Sequence, residues 1–179
     1  MENKEAIRKT YIFQRNKLSA SEIEKKSVNI LEKVLQQFSL ENKKVALYFP
    51  VKNEVNILRL LSLVNAEFYL PVIQNNNKVL KFAKWNGKED ELKKGQYNIL
   101  EPIKEEFAEN LDYIFVPIVA FNNENYRIGY GKGYYDTTLE YFHKILENKP
   151  KLIGVAYKEQ LSDFKEERHD CKLDAIITD

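Results

Sequence analysis

Three of the chain's six glycines, Gly129, Gly131 and Gly133, fall within five residues. They lie in the run Arg127-Ile128-Gly129-Tyr130-Gly131-Lys132-Gly133-Tyr134-Tyr135-Asp136. Glycines let a backbone approach a ligand and turn its N–H groups inward. A helix opening here would add the partial positive charge of its N-terminus. Arg127 can grip a phosphate through two parallel bonds, and Lys132 adds a second full charge. Asp136 can hold a hard cation such as Mg²⁺, which prefers carboxylate and phosphate oxygen. Together these residues suit a polyphosphate carried with its metal. A bare Gly-x-Gly-x-Gly can equally serve only to reverse the chain; the flanking Arg, Lys and Asp favour the phosphate reading. The run is not a Walker A loop, since no Gly-Lys-Ser/Thr follows the spacing. Nor is it a dinucleotide fingerprint, because about ten residues separate Pro117 from Gly129.

The elements that must position this loop show in the hydrophobic pattern. Lys4 to Leu18 reads as a helix, with Ile7, Tyr11 and Leu18 at helical spacing. Ser19-Ala20-Ser21-Glu22 has capping-box spacing, and Ile23, Ser27, Ile30 and Val34 follow on one helical face. Ile57, Leu60, Leu61 and Val64 mark a further amphipathic helix. Tyr135, Leu139, Phe142 and Leu146 mark another, which Pro150 closes. Strands are expected at Lys44–Phe49, Glu67–Leu70, Val79–Ala83, Leu111–Val116, Lys151–Tyr157 and Leu173–Thr178, with a turn at Gln74–Asn77 and a charged loop from Gly87 to Gln96. Such alternation predicts a three-layer α/β/α fold with a mostly parallel central sheet, in one domain spanning 1–179. Three expected strands run into proline, at Pro50, Pro71 and Pro117. Proline can simply punctuate strands. If these strands are parallel, the three prolines share the carboxyl edge, where ligands of open α/β sheets bind.

Composition narrows the function. The chain has 179 residues, 28 Lys plus Arg against 27 Asp plus Glu, and a net charge of +1. A dedicated nucleic-acid binder usually carries a basic excess. Cys171 is the only cysteine, so no intrachain disulfide forms and a cytoplasmic address is expected. No apolar run approaches the roughly 18 residues of a membrane helix. With two histidines there is no metal-ligand constellation. His143, His169 and Cys171 are given no chemistry. Trp85, in the loop after the third expected strand, could cover the site or pack elsewhere.

From Phe115 onward the chain resembles the 5-formyltetrahydrofolate cyclo-ligase, or methenyltetrahydrofolate synthetase, family. The resemblance rests on Val116-Pro117, Ala120-Phe121 and the uninterrupted Arg127-to-Asp136 run. Weaker matches occur in the family's order: Lys4-Glu5-Ala6-Ile7-Arg8, Asn53-Glu54-Val55, His169-Asp170 and Leu173-Asp174. The resemblance implies that Lys4, Arg8 and the stretch Arg127, Ile128, Gly129, Tyr130, Gly131, Lys132, Gly133, Tyr134 and Tyr135 bind ATP. Asp136 and Asp170 would hold Mg²⁺. Glu54 would accept from the pterin ring, and Phe49 and Tyr97 would wall it. Tyr130, Gly131, Lys132, Gly133 and Tyr134 would touch the folate as well. Tyr97 stands where members of the family can carry Trp. Read without the family, Lys4 and Arg8 are a solvated basic face, Asp170 a surface aspartate and Glu54 an acid at a helix start.

The reaction so implied closes 5-formyltetrahydrofolate to 5,10-methenyltetrahydrofolate, consuming ATP. The formyl oxygen is phosphorylated, N10 attacks the carbon and phosphate leaves. Arg127 and Lys132 would be the catalytic charges. The expected partner is the small-molecule folate, with a monomer acting and no nucleic acid or membrane. The alternatives are a sugar-phosphate isomerase or CoA-transferase-like enzyme on a similar sheet, and a non-catalytic folate or nucleotide binder.

Overall fold

A computed structural model describes residues 3–74 and 77–179. Helices α1 (Lys4–Arg15) and α2 (Ala20–Gln37) open the chain. Both starts are capped. Asn3 accepts from the Glu5 N–H, and Ser19 and Glu22 close the expected capping box at 3.2 and 2.9 Å. Strand β1 (Lys44–Ala46) leads through a 3₁₀ turn at Ile57–Arg59 into the short α3 (Leu60–Leu63). Then come β2 (Glu67–Val72), β3 (Lys81–Lys84), β4 (Leu92–Lys94) and β5 (Leu100–Pro102). The second half holds β6 (Tyr113–Pro117), β7 (Ala120–Phe121), β8 (Arg127–Ile128), α4 (Tyr134–Ile145), β9 (Lys151–Ala156) and β10 (Ala175–Thr178). The expected Gln74–Asn77 turn includes Asn75 and Asn76, which lie outside the described residues.

The main sheet runs β10-β9-β6-β1-β2-β3 and is parallel except for the β2–β3 pairing. Its two faces follow the period of two that strands impose. Val45, Leu47, Phe68, Leu70, Phe115, Ile153 and Val155 join α2 and α3 residues in one cluster. Ala46, Tyr69, Ile114, Val116, Leu152 and Ala156 join Leu139 of α4 in the other. Helices thus cover both faces, as the three-layer expectation required. No helix among the described residues is long and apolar enough to cross a membrane.

Strand order reverses between β1 and β6. From β1 the chain steps to β2, and from β6 it steps the opposite way to β9. Their carboxyl ends therefore splay into a crevice, the usual ligand position in such sheets.

Several expectations are corrected. Pro71 lies inside β2, opposite Phe82, with Val72 following it in the ladder. Pro117 ends β6 as expected, opposite Val155, and β1 stops at Ala46, short of the expected Phe49 and of Pro50. The Gly87–Gln96 loop and the residues after it contain the β4–β5 hairpin. Its charged strands carry no alternation to reveal it. Trp85 is buried in the cluster beneath α2 and α3, its Nε1 donating to the Lys88 carbonyl at 2.9 Å.

Ser19 is exposed and, among the described residues, its side chain bonds only to Glu22, which gives a clean stability test. Replacing Ser19 by Ala should lower unfolding free energy by about 1 kcal/mol. Urea denaturation should show a shifted midpoint with unchanged slope, and ligand binding should be unaffected.

Candidate active site

The crevice is a cleft of about 330 Å³. Tyr48 and Phe49 beyond β1, Pro71 of β2 and Pro117 of β6 form its floor, so two of the three prolines expected at this edge line the cleft, and Pro50 does not. Glu54, Tyr97, Arg127, Gly129 and the run from Tyr130 to Asp136 also line it. Segments more than 70 residues apart in sequence meet here, as the Tyr130–Glu54 hydrogen bond shows. Lys4, Arg8, Ile128 and Asp170 are not among the lining residues.

The glycine-rich turn is shaped by backbone sign. Gly131 and Gly133 have φ of +80° and +76°, the left-handed region that a side chain disfavours. At Gly131 an added Cβ would also stand 3.1 Å from the Arg8 guanidinium carbon. Arg8 Nε donates to the Gly129 carbonyl at 2.8 Å, so Arg8 braces the turn from beneath. Gly133 caps α4 without any side-chain bond, and the first N–H groups of that helix open beside the cleft. An uncapped helix start is suited to an anion.

Arg127 sharpens that reading. Its side chain is 2% exposed, yet among the described residues Nε and Nη2 have no hydrogen-bond partner. Nη2 lies within ion-pair distance of Asp136, 3.1 Å from Oδ1, without hydrogen-bond geometry. The neighbouring Tyr135 hydroxyl is also buried and unpartnered among the described residues, and burial raises its pKa. Buried polar groups are ordinarily satisfied. Orphaned donors on a cleft wall are what an absent anion would satisfy. Lys132 is exposed at the rim, its Nζ 5.3 Å from the Tyr97 ring centre.

Tyr97 and Asn98 form the two-residue tip of the β4–β5 hairpin, both at φ of 58°. Such a turn needs two left-handed residues and normally takes Asn-Gly. A tyrosine there costs on the order of 1 kcal/mol and places the ring over the cleft, edge-on to Tyr134 with centroids 6.3 Å apart. Below the hairpin, Glu101 is buried against Gly95, where an added Cβ would stand 2.2 Å from its carboxyl carbon. Its Oε1 accepts from the Ile73 N–H at 3.2 Å, and burial raises its pKa.

At the other end Glu54 is buried. Its Oε2 accepts from the Val51 N–H at 2.9 Å, and its Oε1 from the Tyr130 hydroxyl at 3.0 Å. Burial raises its pKa, opposed chiefly by Arg15. Glu101, which lines the cleft, and Arg15, which bonds to the lining residue Tyr130, escaped the sequence reading. The signal for Arg15 was present: Lys4, Arg8, Tyr11 and Arg15 form one stripe at spacings of four, three and four along α1. Glu101 had no such pattern.

A divalent metal was implied at Asp136 and Asp170. Among the described residues no cluster of three metal-ligating side chains occurs. Mg²⁺ commonly takes one protein carboxylate and completes its shell with phosphate and water. Asp136, half-buried on the cleft wall, fits that role. Asp170 does not lie on that wall. Its carboxylate is taken up by Lys4 at 2.6 and 2.8 Å and by the Glu167 N–H at 2.7 Å. Ile128 is core, packed with Ile7, Ala120 and Phe164, so only its backbone can face a ligand.

The turn can be tested directly. Both Gly131→Ala and Gly133→Ala strain the backbone, but only the first drives a methyl onto Arg8. Gly131→Ala should therefore weaken binding of Mg-ATP more than Gly133→Ala does, measured by calorimetry on both.

Comparison with known proteins places the chain as a whole. The 5-formyltetrahydrofolate cyclo-ligase family model matches residues 1–179. A 5-formyltetrahydrofolate cyclo-ligase of Mycoplasma genitalium is 33% identical over 185 residues, covering 99% of this chain and 98% of its own. Two solved structures share the fold. A 5,10-methenyltetrahydrofolate synthetase from Mycoplasma pneumoniae superposes with a TM-score of 0.77 at 29% identity, covering 99% of both chains. The Aquifex aeolicus 5,10-methenyltetrahydrofolate synthetase gives 0.78 at 32% identity, covering 98% of this chain and 89% of that one. With sequence and fold matched from end to end, the chain belongs to the 5-formyltetrahydrofolate cyclo-ligase family.

Proposed function

We propose that this chain closes 5-formyltetrahydrofolate to 5,10-methenyltetrahydrofolate, converting ATP to ADP and phosphate. The observation that carries the reading is Arg127, a buried guanidinium with unsatisfied donors beside an uncapped helix start on the cleft wall. A cleft that needs an anion suits phosphoryl transfer better than an isomerase or transferase working from a lone carboxylate base. The relatives reported above bear cyclo-ligase or synthetase names.

The chemical difficulty is a formamide, whose carbon is a weak electrophile and whose oxygen leaves poorly. Transfer of the γ-phosphoryl group to the formyl oxygen breaks its bond to ADP and makes that oxygen part of a leaving group. N10 then attacks the formyl carbon and gives up its proton, the five-membered ring closes, the carbon–oxygen bond breaks, and the phosphate departs with that oxygen and the proton. The protein's task is alignment and charge neutralisation. Arg127, Lys132 and the N–H groups of the glycine-rich turn would hold the phosphates. Arg8 would support that turn, and Lys4, at the same end of α1, would be held by Asp170. Mg²⁺, when bound, would neutralise phosphate charge, with Asp136 as its protein carboxylate. Phe49 and Tyr97 would wall the flat ring, and Glu54 would accept from its N–H donors. No side-chain nucleophile is needed.

Three measurements test this. Methenyl absorbance should appear only when protein, 5-formyltetrahydrofolate and Mg-ATP are combined; full-rate cyclisation without nucleotide would refute the reading. Arg127→Ala should lower kcat/KM by roughly 10²-fold or more, whereas Arg127→Lys, keeping charge without the fork, should lose less. Glu54→Gln and Asp136→Asn should fail differently. The first should weaken folate binding and spare ATP; the second should weaken Mg-ATP use and be partly restored by added Mg²⁺. Reversed behaviour in separate calorimetric titrations would mean that the two ends of the cleft are assigned backwards.

A further inference from the structure

We propose that Arg15 is a positioning residue for the folate end of the cleft, holding Tyr130 and Glu54 in one charged hydrogen-bonded chain. This rests on reading the cleft as a folate site.

The Arg15 side chain is 2% exposed, so its charge must be met by acceptors of the protein. Nε donates to the Lys52 carbonyl at 2.8 Å and Nη1 to the Ile118 carbonyl at 2.9 Å. Nη2 donates to the Tyr130 hydroxyl and lies 3.9 Å from Glu54 Oε1. Tyr130 passes its own proton donor to that same oxygen at 3.0 Å. One guanidinium thus gathers three separate segments: the turn after β1, the residues after β6, and the glycine-rich turn.

The turn before Glu54 needs such a restraint. Lys52 and Asn53 are both left-handed without being glycine, at φ of 49° and 60°. Such conformations persist where surrounding structure over-determines them. The Arg15 side chain holds the Lys52 carbonyl, and the Asn53 amide reaches the Arg15 and Leu18 carbonyls at 3.4 Å. Glu54 follows immediately, so its direction is set by a turn that Arg15 grips from both sides.

Charge is the second part of the role. The groups facing Glu54 are Arg15 from α1, Lys52 from its own turn, Tyr130 from the glycine-rich turn, Tyr48 beyond β1, Tyr135 from α4 and Tyr157 beyond β9. Arg15 and Lys52 are the only full cations among these. Lys52 is exposed, with its Nζ over the Tyr130 ring at 5.2 Å. Arg15 is therefore the buried cation that favours Glu54 as a carboxylate, the form that accepts from the N–H donors of a pterin ring. The sign follows. Burial already raises the Glu54 pKa, and removing Arg15 raises it further. The carboxylate, and folate affinity with it, is then lost as pH falls and regained as pH rises.

The test uses Arg15→Met, Arg15→Lys and Tyr130→Phe, each checked for folding by circular dichroism. The ionisation of Glu54 is followed without ligand by carbon NMR of carboxyl-labelled glutamate, its signal assigned by its loss in Glu54→Gln. Arg15→Met should move the Glu54 midpoint upward. At the acid end of the titration its dissociation constant for 5-formyltetrahydrofolate should rise by roughly 10- to 100-fold. That gap should narrow as pH rises, while Mg-ATP binding stays within about twofold. An unmoved midpoint, or a pH-independent loss of both ligands, would overturn the proposal. If Arg15→Met fails to fold, the other two variants decide. Tyr130→Phe should raise the midpoint and Arg15→Lys should leave it near wild type; no change in Tyr130→Phe would overturn the proposal. A wild-type protein that ignores 5-formyltetrahydrofolate, yet shows the expected midpoint shifts, would sink the functional reading and leave the Arg15 geometry standing.

Discussion

Arg15 sits in the last turn of α1 with its guanidinium out of reach of water. Burying such a charge costs several kcal/mol unless acceptors surround it. The acceptors it finds are two backbone carbonyls and a tyrosine hydroxyl from three loops at the carboxyl edge of the sheet. Satisfying one charge therefore fixes how those loops stand relative to each other. The rest of α1 acts the same way along its stripe. Tyr11 bonds the Leu161 carbonyl at 2.7 Å, Arg8 bonds the Gly129 carbonyl, and Lys4 pairs with Asp170. The first helix is a clamp across the open end of the sheet.

Buried Arg15, behind the cleft-lining Tyr130, and buried Arg127 on the cleft wall make a useful contrast. Arg15 meets its acceptors within the protein. Arg127 is equally buried, but among the described residues its Nε and Nη2 have no hydrogen-bond partner, only the Asp136 carboxylate within ion-pair distance of Nη2. The same chemistry thus yields a structural group in one place and a waiting ligand contact in the other. Preorganised donors of this kind need little reorganisation when charge moves during reaction. Strain is arranged alongside. Two pairs of left-handed non-glycine residues, Lys52–Asn53 and Tyr97–Asn98, meet the cleft through Lys52 and Tyr97. Each sets the direction of a lining side chain, Glu54 in one case and Tyr97 in the other.

Much was legible in the sequence because much of it is local. Helix caps and periodicity act over a few residues, so α1, α2 and α4 could be read along the chain, as could the capping box at Ser19. The glycine-rich turn was legible for the same reason: backbone sign, charge and helix start all lie within ten residues, Arg127 to Asp136. The resemblance of those residues to a family then supplied the substrate, which spacing alone does not specify. The hairpin β4–β5 was not legible, because its charged strands lack alternation and are defined by pairing with each other.

What the tertiary structure decided is which charges are paired. Lys4 and Asp170 lie 166 positions apart and bond to each other. Arg15 and Tyr130 are 115 apart, and Tyr130 and Glu54 are 76 apart. Type and spacing show that a residue can carry charge, and the sequence by itself determined that Arg127, Lys132 and Asp136 would stand together at a helix start. Whether a charge is satisfied depends on acceptors brought in from elsewhere by the sheet topology. Pairing energy falls off over a few ångströms, a distance that chain position does not encode. Only the folded chain could therefore separate Arg15, whose donors are met, from Arg127, whose donors remain open to a ligand.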